Sequence, residues 1–208
     1  MRRGAEAPEP ANAATADSVA QVLADAFAND PVFAWFSRDD ARRDQARLAF
    51  FSHLVRETLS VGEILRPATG GAAAIWMSSE ALGPSPLYRE LQAQPSLLGL
   101  TGWSRFVRLM QLRDAMDRHH PMDRPHAYLW FLAVTPQAQG QGVGSRLLKA
   151  KTDRLDAAHQ PAFLETATTR NVELYRRHGF EVVADYRPSP SGPMIWAMWR
   201  APRRTTVA

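Results

Sequence analysis

The stretch Thr135-Pro136-Gln137-Ala138-Gln139-Gly140-Gln141-Gly142-Val143-Gly144-Ser145 decides the reading of this chain. An unbroken apolar and aromatic run, Tyr128 to Val134, precedes it and suits a strand buried on both faces. After it, Val143, Leu147, Leu148 and Leu155 recur on one face of a helix. Strand, glycine-rich turn and helix in that order make an anion site, because a helix start leaves amide N–H groups unpaired and its dipole favours negative charge. Glycine lets a diphosphate approach the backbone, since no Cβ stands in the way.

The spacing narrows the ligand. A nucleoside triphosphate loop would end Gly-Lys-Ser/Thr, whereas Gly144 is followed by Ser145-Arg146. A dinucleotide fingerprint would need glycine at 145 and a repeating β-α-β pattern, and neither is present. What remains is Gln-x-x-Gly-x-Gly at Gln139, Gly142 and Gly144. Further on, Asn171 and Tyr175 are spaced i, i+4 and share one helix face. A tyrosine hydroxyl can protonate a thiolate expelled when a thioester acylates an amine, and an amide side chain can hold a peptide-like arm. Taken singly, Asn171 also reads as a helix cap and Tyr175 as a core aromatic.

Gln139-x-x-Gly142-x-Gly144 and Asn171-x-x-x-Tyr175-x-x-x-Gly179-Phe180 together resemble the two acetyl-coenzyme A motifs of the GCN5-related N-acetyltransferase (GNAT) superfamily. Pro161 to Thr166, Arg170-Asn171, Val183-x-Asp185, Ala24-x-Ala26-Phe27-Ala28, Ile75-Trp76 and Trp130-Phe131-Leu132 are similar to its puromycin N-acetyltransferase branch. The resemblance is strong over 128–186 and looser back to about residue 15. It implies an α/β fold of α+β type: a mixed, twisted sheet of six or seven strands flanked by helices. Two central parallel strands, 128–134 and 161–166, would splay to admit acetyl-CoA. It also implies that Leu132, Ala133 and Val134 pair with the pantetheine arm, and that Gln139, Gly140, Gln141, Gly142, Val143, Gly144 and Ser145 hold the pyrophosphate. Asn171 and Tyr175 would contact the cofactor, with Tyr175 as proton donor.

The expected activity is direct acetyl transfer to a primary amine of a small molecule, puromycin or another antibiotic being one acceptor and resistance one role. The alternatives are a non-catalytic CoA sensor and a protein or peptide N-acetyltransferase. A base is needed for a protonated amine. Glu165 at the end of the second splayed strand comes first, then His120 and His126, then Glu80. Trp35, Trp76, His126 and Trp130 are the residues assigned to an acceptor pocket.

Composition agrees and excludes other classes. The 208 residues are 45% hydrophobic and 22% charged, globular proportions for one domain. Without cysteine there is no acyl-thioenzyme, disulfide scaffold or thiolate metal site. His119, His120 and His126 lie near Asp117 and Asp123 without metal-site spacing, so no metal is expected. The net charge is +4, but the arginines are interleaved with acids, so neither nucleic acid nor a membrane is expected as partner. A cytoplasmic location is the simplest expectation, and pairing with a second copy stays open.

Residues 1–14 read as a loose tail with a short strand near its end, and 15–204 as a single domain. Asp17-Ser18 should cap a first helix, with Ser18 and Gln21 as a capping box, and Pro31 should stop it. A second helix is expected over 39–60, strands over 63–66 and 72–77, and an insertion of short, Pro- and Gly-broken helices over 80–125. A helix over 171–178 and strands over 180–186 and 194–200 complete the reading.

Overall fold

The computed structural model describes residues 7–82 and 95–203. Part of the expected tail (1–6) and of the expected insertion (83–94) lie outside them. One sheet of seven strands organises the chain: β1 (Glu9–Pro10), β2 (Glu63–Arg66), β3 (Ala72–Ser78), β4 (Ala127–Val134), β5 (Ala162–Thr166), β6 (Glu181–Tyr186) and β7 (Ile195–Arg200). Their order is β1-β2-β3-β4-β5-β7-β6, and all neighbours are antiparallel except the central pair β4 and β5. Among the described residues the flanking helices are α1 (Ala16–Ala26), α2 (Pro31–Phe36), α3 (Arg43–Val61), α4 (Pro95–His119), α5 (Val143–Ala157) and α6 (Thr169–Arg177).

The two central strands part as the resemblance implied. Their pairing runs Ala127↔Ala162, Tyr128↔Phe163 and Leu129↔Leu164, and then ends. Beyond that point β4 continues to Val134 while staying paired with β3 on its other side. The register between β3 and β4 shifts by one residue between Ile75 and Trp76, leaving Trp130 as the extra residue of a bulge. A bulge bends a strand and increases its local twist. It falls one residue past the last β4–β5 pair, so the bend and the parting coincide. The edge of β4 beyond Leu129 therefore keeps backbone groups facing a gap.

The sheet buries both faces. Phe51, Leu54, Val55, Leu23, Leu100, Ile75 and Phe163 belong to the core on the side of α1 to α4. Leu147, Leu148, Leu164, Tyr175, Phe180 and Met198 belong to the core under α5 and α6. Alternation along β4 and β5 sends successive side chains to opposite faces, which is why one apolar run reads as buried throughout.

Local expectations differ from the structure in four places. The first helix begins at Ala16, and the capping box belongs to Asn12 and Thr15 of the short turn before it, not to Ser18 and Gln21. Pro31 does not stop α1; it is the first residue of α2, where its missing N–H costs nothing. Helix α3 starts at Arg43 rather than 39. Within the expected insertion, Pro95–His119 is two helices that meet at a kink at Gly102 (φ 62°), one of the expected breaks, whereas Pro95 starts the first helix and Gly99 does not break it. Glu9–Pro10 supplies the short strand near the end of the tail, with Glu9 paired to Arg66 by hydrogen bond and charge.

Candidate active site

A cleft of about 760 Å³ opens where β4 and β5 part. Its floor and one wall are Leu132, Val134, Pro136, Ala138, Gln139, Gly140, Gly142, Val143, Gly144 and Ser145. A second wall is Thr168, Arg170, Asn171, Leu174, Tyr175 and Arg177 from α6 and the residue before it. The turn between α1 and α2 closes the third side with Asp25, Phe27, Asn29, Asp30 and Pro31.

Local backbone geometry builds the loop. Gly142 is the N-cap of α5 at φ 71°, a left-handed conformation that costs other residues ~1–2 kcal/mol. Gly144 acts through space instead: a Cβ there would meet Val134 Cγ2 at 3.1 Å, so a larger residue would press that side chain aside by a few tenths of an ångström where α5 closes on the end of β4. Side chains then fix the loop to itself. Gln139 Nε2 donates to the Val134 carbonyl at 3.2 Å, Gln141 Nε2 to Gln137 at 2.9 Å, and Arg146 to Gln141 at 2.9 Å. With these amide side chains turned back on their own segment, the backbone amides at the start of α5 are what the cleft offers. No acid lies in the first turn of α5 to oppose an anion. Unpaired amides with no opposing acid are the groups a diphosphate would need, and Arg170 and Arg177 on the facing wall add positive charge.

Asn171 and Tyr175 stand on the face of α6 that forms the wall, as their spacing predicts. Tyr175 is buried, packs edge-on to Phe180 at 6.0 Å, and keeps its proton: burial first, then the nearby charge of Asp30, push its pKa up. Ser145 Oγ lies 2.6 Å from His178 Nε2, which ties α5 to the end of α6. Burial, then Arg177, Arg200, Arg203 and Lys149, push that histidine's pKa down.

The remaining sequence candidates are placed elsewhere. Ala133 is fully buried on the opposite face of β4, and Gln141 is exposed outside the cleft lining. Glu165 faces the α1–α4 side. Tyr128 donates to its Oε2 at 3.1 Å and Tyr186 donates to its Oε1. Burial pushes its pKa up to about 7 against the pull of both hydroxyls. His119 of α4 stacks on Tyr186 with ring centroids 3.9 Å apart.

Trp76 does not reach an acceptor pocket; it is buried under α5, with the Lys151 ammonium 5.8 Å from its ring. His126 does not either. It precedes β4, below the paired segment, and its Nε2 lies 3.1 Å from that of His120. Burial holds His126 below its usual pKa and takes His120 down to about 4. Trp35 sits half-buried below Arg108, which is 5.9 Å over its ring and donates to its carbonyl at 2.9 Å. Trp130 occupies the bulge and packs on Phe131. Glu80 is exposed in the turn after β3.

Two contributions were missed from the sequence. The α1–α2 turn forms a wall of the cleft, signalled only by Pro31, which reads equally well as an ordinary helix stop. Tyr186 joins Glu165 from β6, twenty-one positions away, and no local pattern announces that.

Residues 106–182 match the family description Acetyltransferase (GNAT) domain. Among solved structures, one from Corynebacterium glutamicum, described as histone acetyltransferase HPA2 and related acetyltransferase, is 28% identical, with a TM-score of 0.71 over 97% of this chain and 100% of that one. Arylalkylamine N-acetyltransferase 2 from Aedes aegypti shares the fold at 13% identity and a TM-score of 0.65, over 94% and 98% of the two chains. A polyamine N-acetyltransferase from Drosophila melanogaster, described as forming N-acetylagmatine, shares it at 15% and 0.62, over 93% and 98%. The seven-stranded sheet with its parallel central pair is the GNAT fold. The domain match over 106–182 and the 28% identical neighbour indicate an acyltransferase of the N-acetyltransferase kind.

Proposed function

We propose that this N-acetyltransferase moves an acetyl group from acetyl-CoA directly to a primary amine of a small molecule. The observation that carries the reading is the cleft itself: a backbone-amide cradle and the Asn171–Tyr175 face meet where β4 parts from β5. Acetyl-CoA would supply an activated acyl group and a thiolate leaving group. On this reading the amides of Gln139 to Ser145 hold the diphosphate, and Arg170 and Arg177 take up further negative charge. Asn171 hydrogen-bonds the amide-rich arm, whose backbone partners are Leu132 and Val134 on the open edge of β4.

Tyr175 donates its proton toward the departing sulfur. The burial that raises its pKa raises that of the thiol formed beside it, so the two proton affinities move in the same direction. Glu165 has the proton affinity a base needs near neutral pH, but tyrosines occupy both of its oxygens and it lies off the cleft lining. Its proposed part is positioning: it fixes Tyr128 of β4 and Tyr186 of β6 beside the gap.

A small acceptor is favoured over a peptide by the docking of α4. Arg105 donates to the carbonyls of Ala34 at 3.1 Å and Ser37 at 2.7 Å, and Arg38 donates to Gly99 at 3.0 Å. These bonds hold α4 on α2, so the helical segment expected to cover the acceptor side is fixed to the domain rather than free. Small amines are also what the mosquito and fly enzymes are described as acetylating.

The test is thiol release from acetyl-CoA with puromycin, polyamines, aminoglycosides, amino acids and a short peptide as acceptors. A chain without cysteine contributes no thiol background. Turnover with one or more small amines and none with the peptide is the expected result. Turnover with the peptide alone overturns the small-acceptor reading. Silence across the panel, with acetyl-CoA still raising the melting temperature, transfers the site to a sensor role.

A further inference from the structure

Beside Asp25, which accepts from Gln21 Nε2 at 2.8 Å, the carboxylate that lines the cleft from the α1–α2 turn is Asp30. It sits between Phe27 and Phe33, whose rings both pack on Phe131, at 5.4 Å and 6.4 Å. Phe131 is the residue before Leu132 of the cleft wall. Asp30 Oδ1 accepts from the amides of Val32 at 2.9 Å and Phe33 at 3.0 Å. Those two bonds use one oxygen, and among the described residues no side chain bonds the other. The residue shares the cleft with Tyr175 and is near enough for its charge to act on that hydroxyl.

We propose that Asp30 is the catalytic residue that receives the acceptor's ammonium in the cleft and takes its proton, which makes the preferred acceptor a cationic primary alkylamine. The inference rests on the acetyl-transfer reading given above and assigns its missing base. An ammonium entering the cleft meets a carboxylate to which, among the described residues, no cation is paired. Bringing both charges out of water is costly, and moving one proton neutralises both at once. Burial, which pushes the pKa of Asp30 up, narrows the gap that this proton must cross. The neutral amine nitrogen then forms a bond to the acetyl carbon, and the carbon–sulfur bond breaks. Of the two protons the ammonium loses in all, one goes through Asp30 to solvent. The other compensates the proton that Tyr175 gives to the sulfur, so both side chains return to their starting states.

Asp30→Asn is the decisive variant, because asparagine keeps the helix cap while removing the charge. Asp30→Ser is the second, in case the asparagine variant folds poorly. Expected for either is a loss of roughly 10²-fold or more in kcat/KM for an alkylamine at pH 7, the size of a general-base contribution. The acetyl-CoA-induced rise in melting temperature should stay as in the wild type. Rate with an acceptor that is neutral at pH 7, such as an arylamine or a hydrazide, should fall by less than tenfold. Calorimetry of the alkylamine added to the enzyme with CoA should show binding in the wild type and at least tenfold weaker binding in the variant. Alkylamine kcat/KM within twofold of wild type overturns the proposal, and so does an equal loss with charged and neutral acceptors. A wild type that turns over no amine fails the acetyl-transfer reading instead, a result the calorimetric comparison does not depend on.

Discussion

The α5–α6 face of the sheet and the α1–α4 face are held by different physics. Under α5 and α6 the decisive features are backbone ones: a left-handed Gly142, a glycine contact between Gly144 and Val134, and a buried ion pair that pins the far end. There Arg200, 2% exposed, donates twice to Asp156 and once to the carbonyl of His178. On the other face an aromatic cluster does the holding. Phe27, Phe33, Phe36, Phe50, Phe51 and Phe131 form contacts between ring centroids 5.1–6.4 Å apart. The first face presents the same groups to any diphosphate. The second presents side chains, which on the proposed reading can be exchanged without disturbing the backbone that would hold the donor.

The comparison breaks most sharply in the aromatic cluster. Phe51 is fully buried and touches Phe27, Phe33 and Phe131. Replacing it with alanine should lower unfolding free energy by about 3–5 kcal/mol, read from the denaturant midpoint. Turnover per folded molecule should fall as well, because the same rings seat Asp30. A loss under ~1 kcal/mol would mean that the cluster collapses to refill the space, and that packing does not organise this face.

Next in size is Tyr175→Phe, which leaves the ring against Phe180 and removes only the hydroxyl. The expected outcome is a fall of roughly 10²-fold in kcat. The melting-temperature rise given by acetyl-CoA should be unchanged. Unaltered turnover would remove proton donation from the α6 face and leave that face with binding alone.

Gly142→Ala sharpens the backbone half of the comparison. At φ 71° an added Cβ is strained by ~1–2 kcal/mol wherever it has room. Since 1.4 kcal/mol is about tenfold in an equilibrium constant, the strain should appear as acetyl-CoA binding weaker by about an order of magnitude or as an equal loss of stability. Titration calorimetry and thermal melts together separate the two. Neither changing would mean that the loop does not depend on this conformation.

The same division explains what the sequence disclosed. The donor side is written within short windows: strand 127–134, loop and helix follow one another, and Asn171 and Tyr175 are four apart. Eleven consecutive residues carry the loop because a helix start and its glycine turn are local objects. Strand and helix positions in this half fall within a residue or two of expectation. The acceptor side is assembled from α2, α4, β4, β5 and β6, so its contacts are long-range. Nothing near Trp76 in sequence says which face of β3 the alternation gives it, and so that it lies with Ala72 and Ala74 under α5. Nothing near His126 says that it meets His120 below the paired part of β4. Pro31 was legible as punctuation but nothing marked Asp30 before it, and only the packing of Phe27 and Phe33 on Phe131 gives that carboxylate a place in the cleft.

The smallest effect is the one that separates the two carboxylates of the acceptor side. Glu165 has a folded pKa of about 7 against 4.5 for the free side chain, because burial outweighs its two tyrosine hydrogen bonds. Between those values the folded protein binds more protons than the unfolded chain, so stability falls as pH rises through that window and is level above it. Glu165→Gln carries no charge to lose, and its melting temperature should vary less with pH across the window than that of the wild type. Its kcat should fall by less than ~10-fold, since the group acts through Tyr128 and Tyr186 rather than on the amine. Both readouts are needed. A flattened stability profile with nearly intact turnover gives Glu165 the positioning part and leaves the proton to Asp30. A collapse of turnover in Glu165→Gln, with Asp30→Asn still active, would exchange the two roles and move the chemistry from the end of β4 to the point where β4 and β5 begin to part.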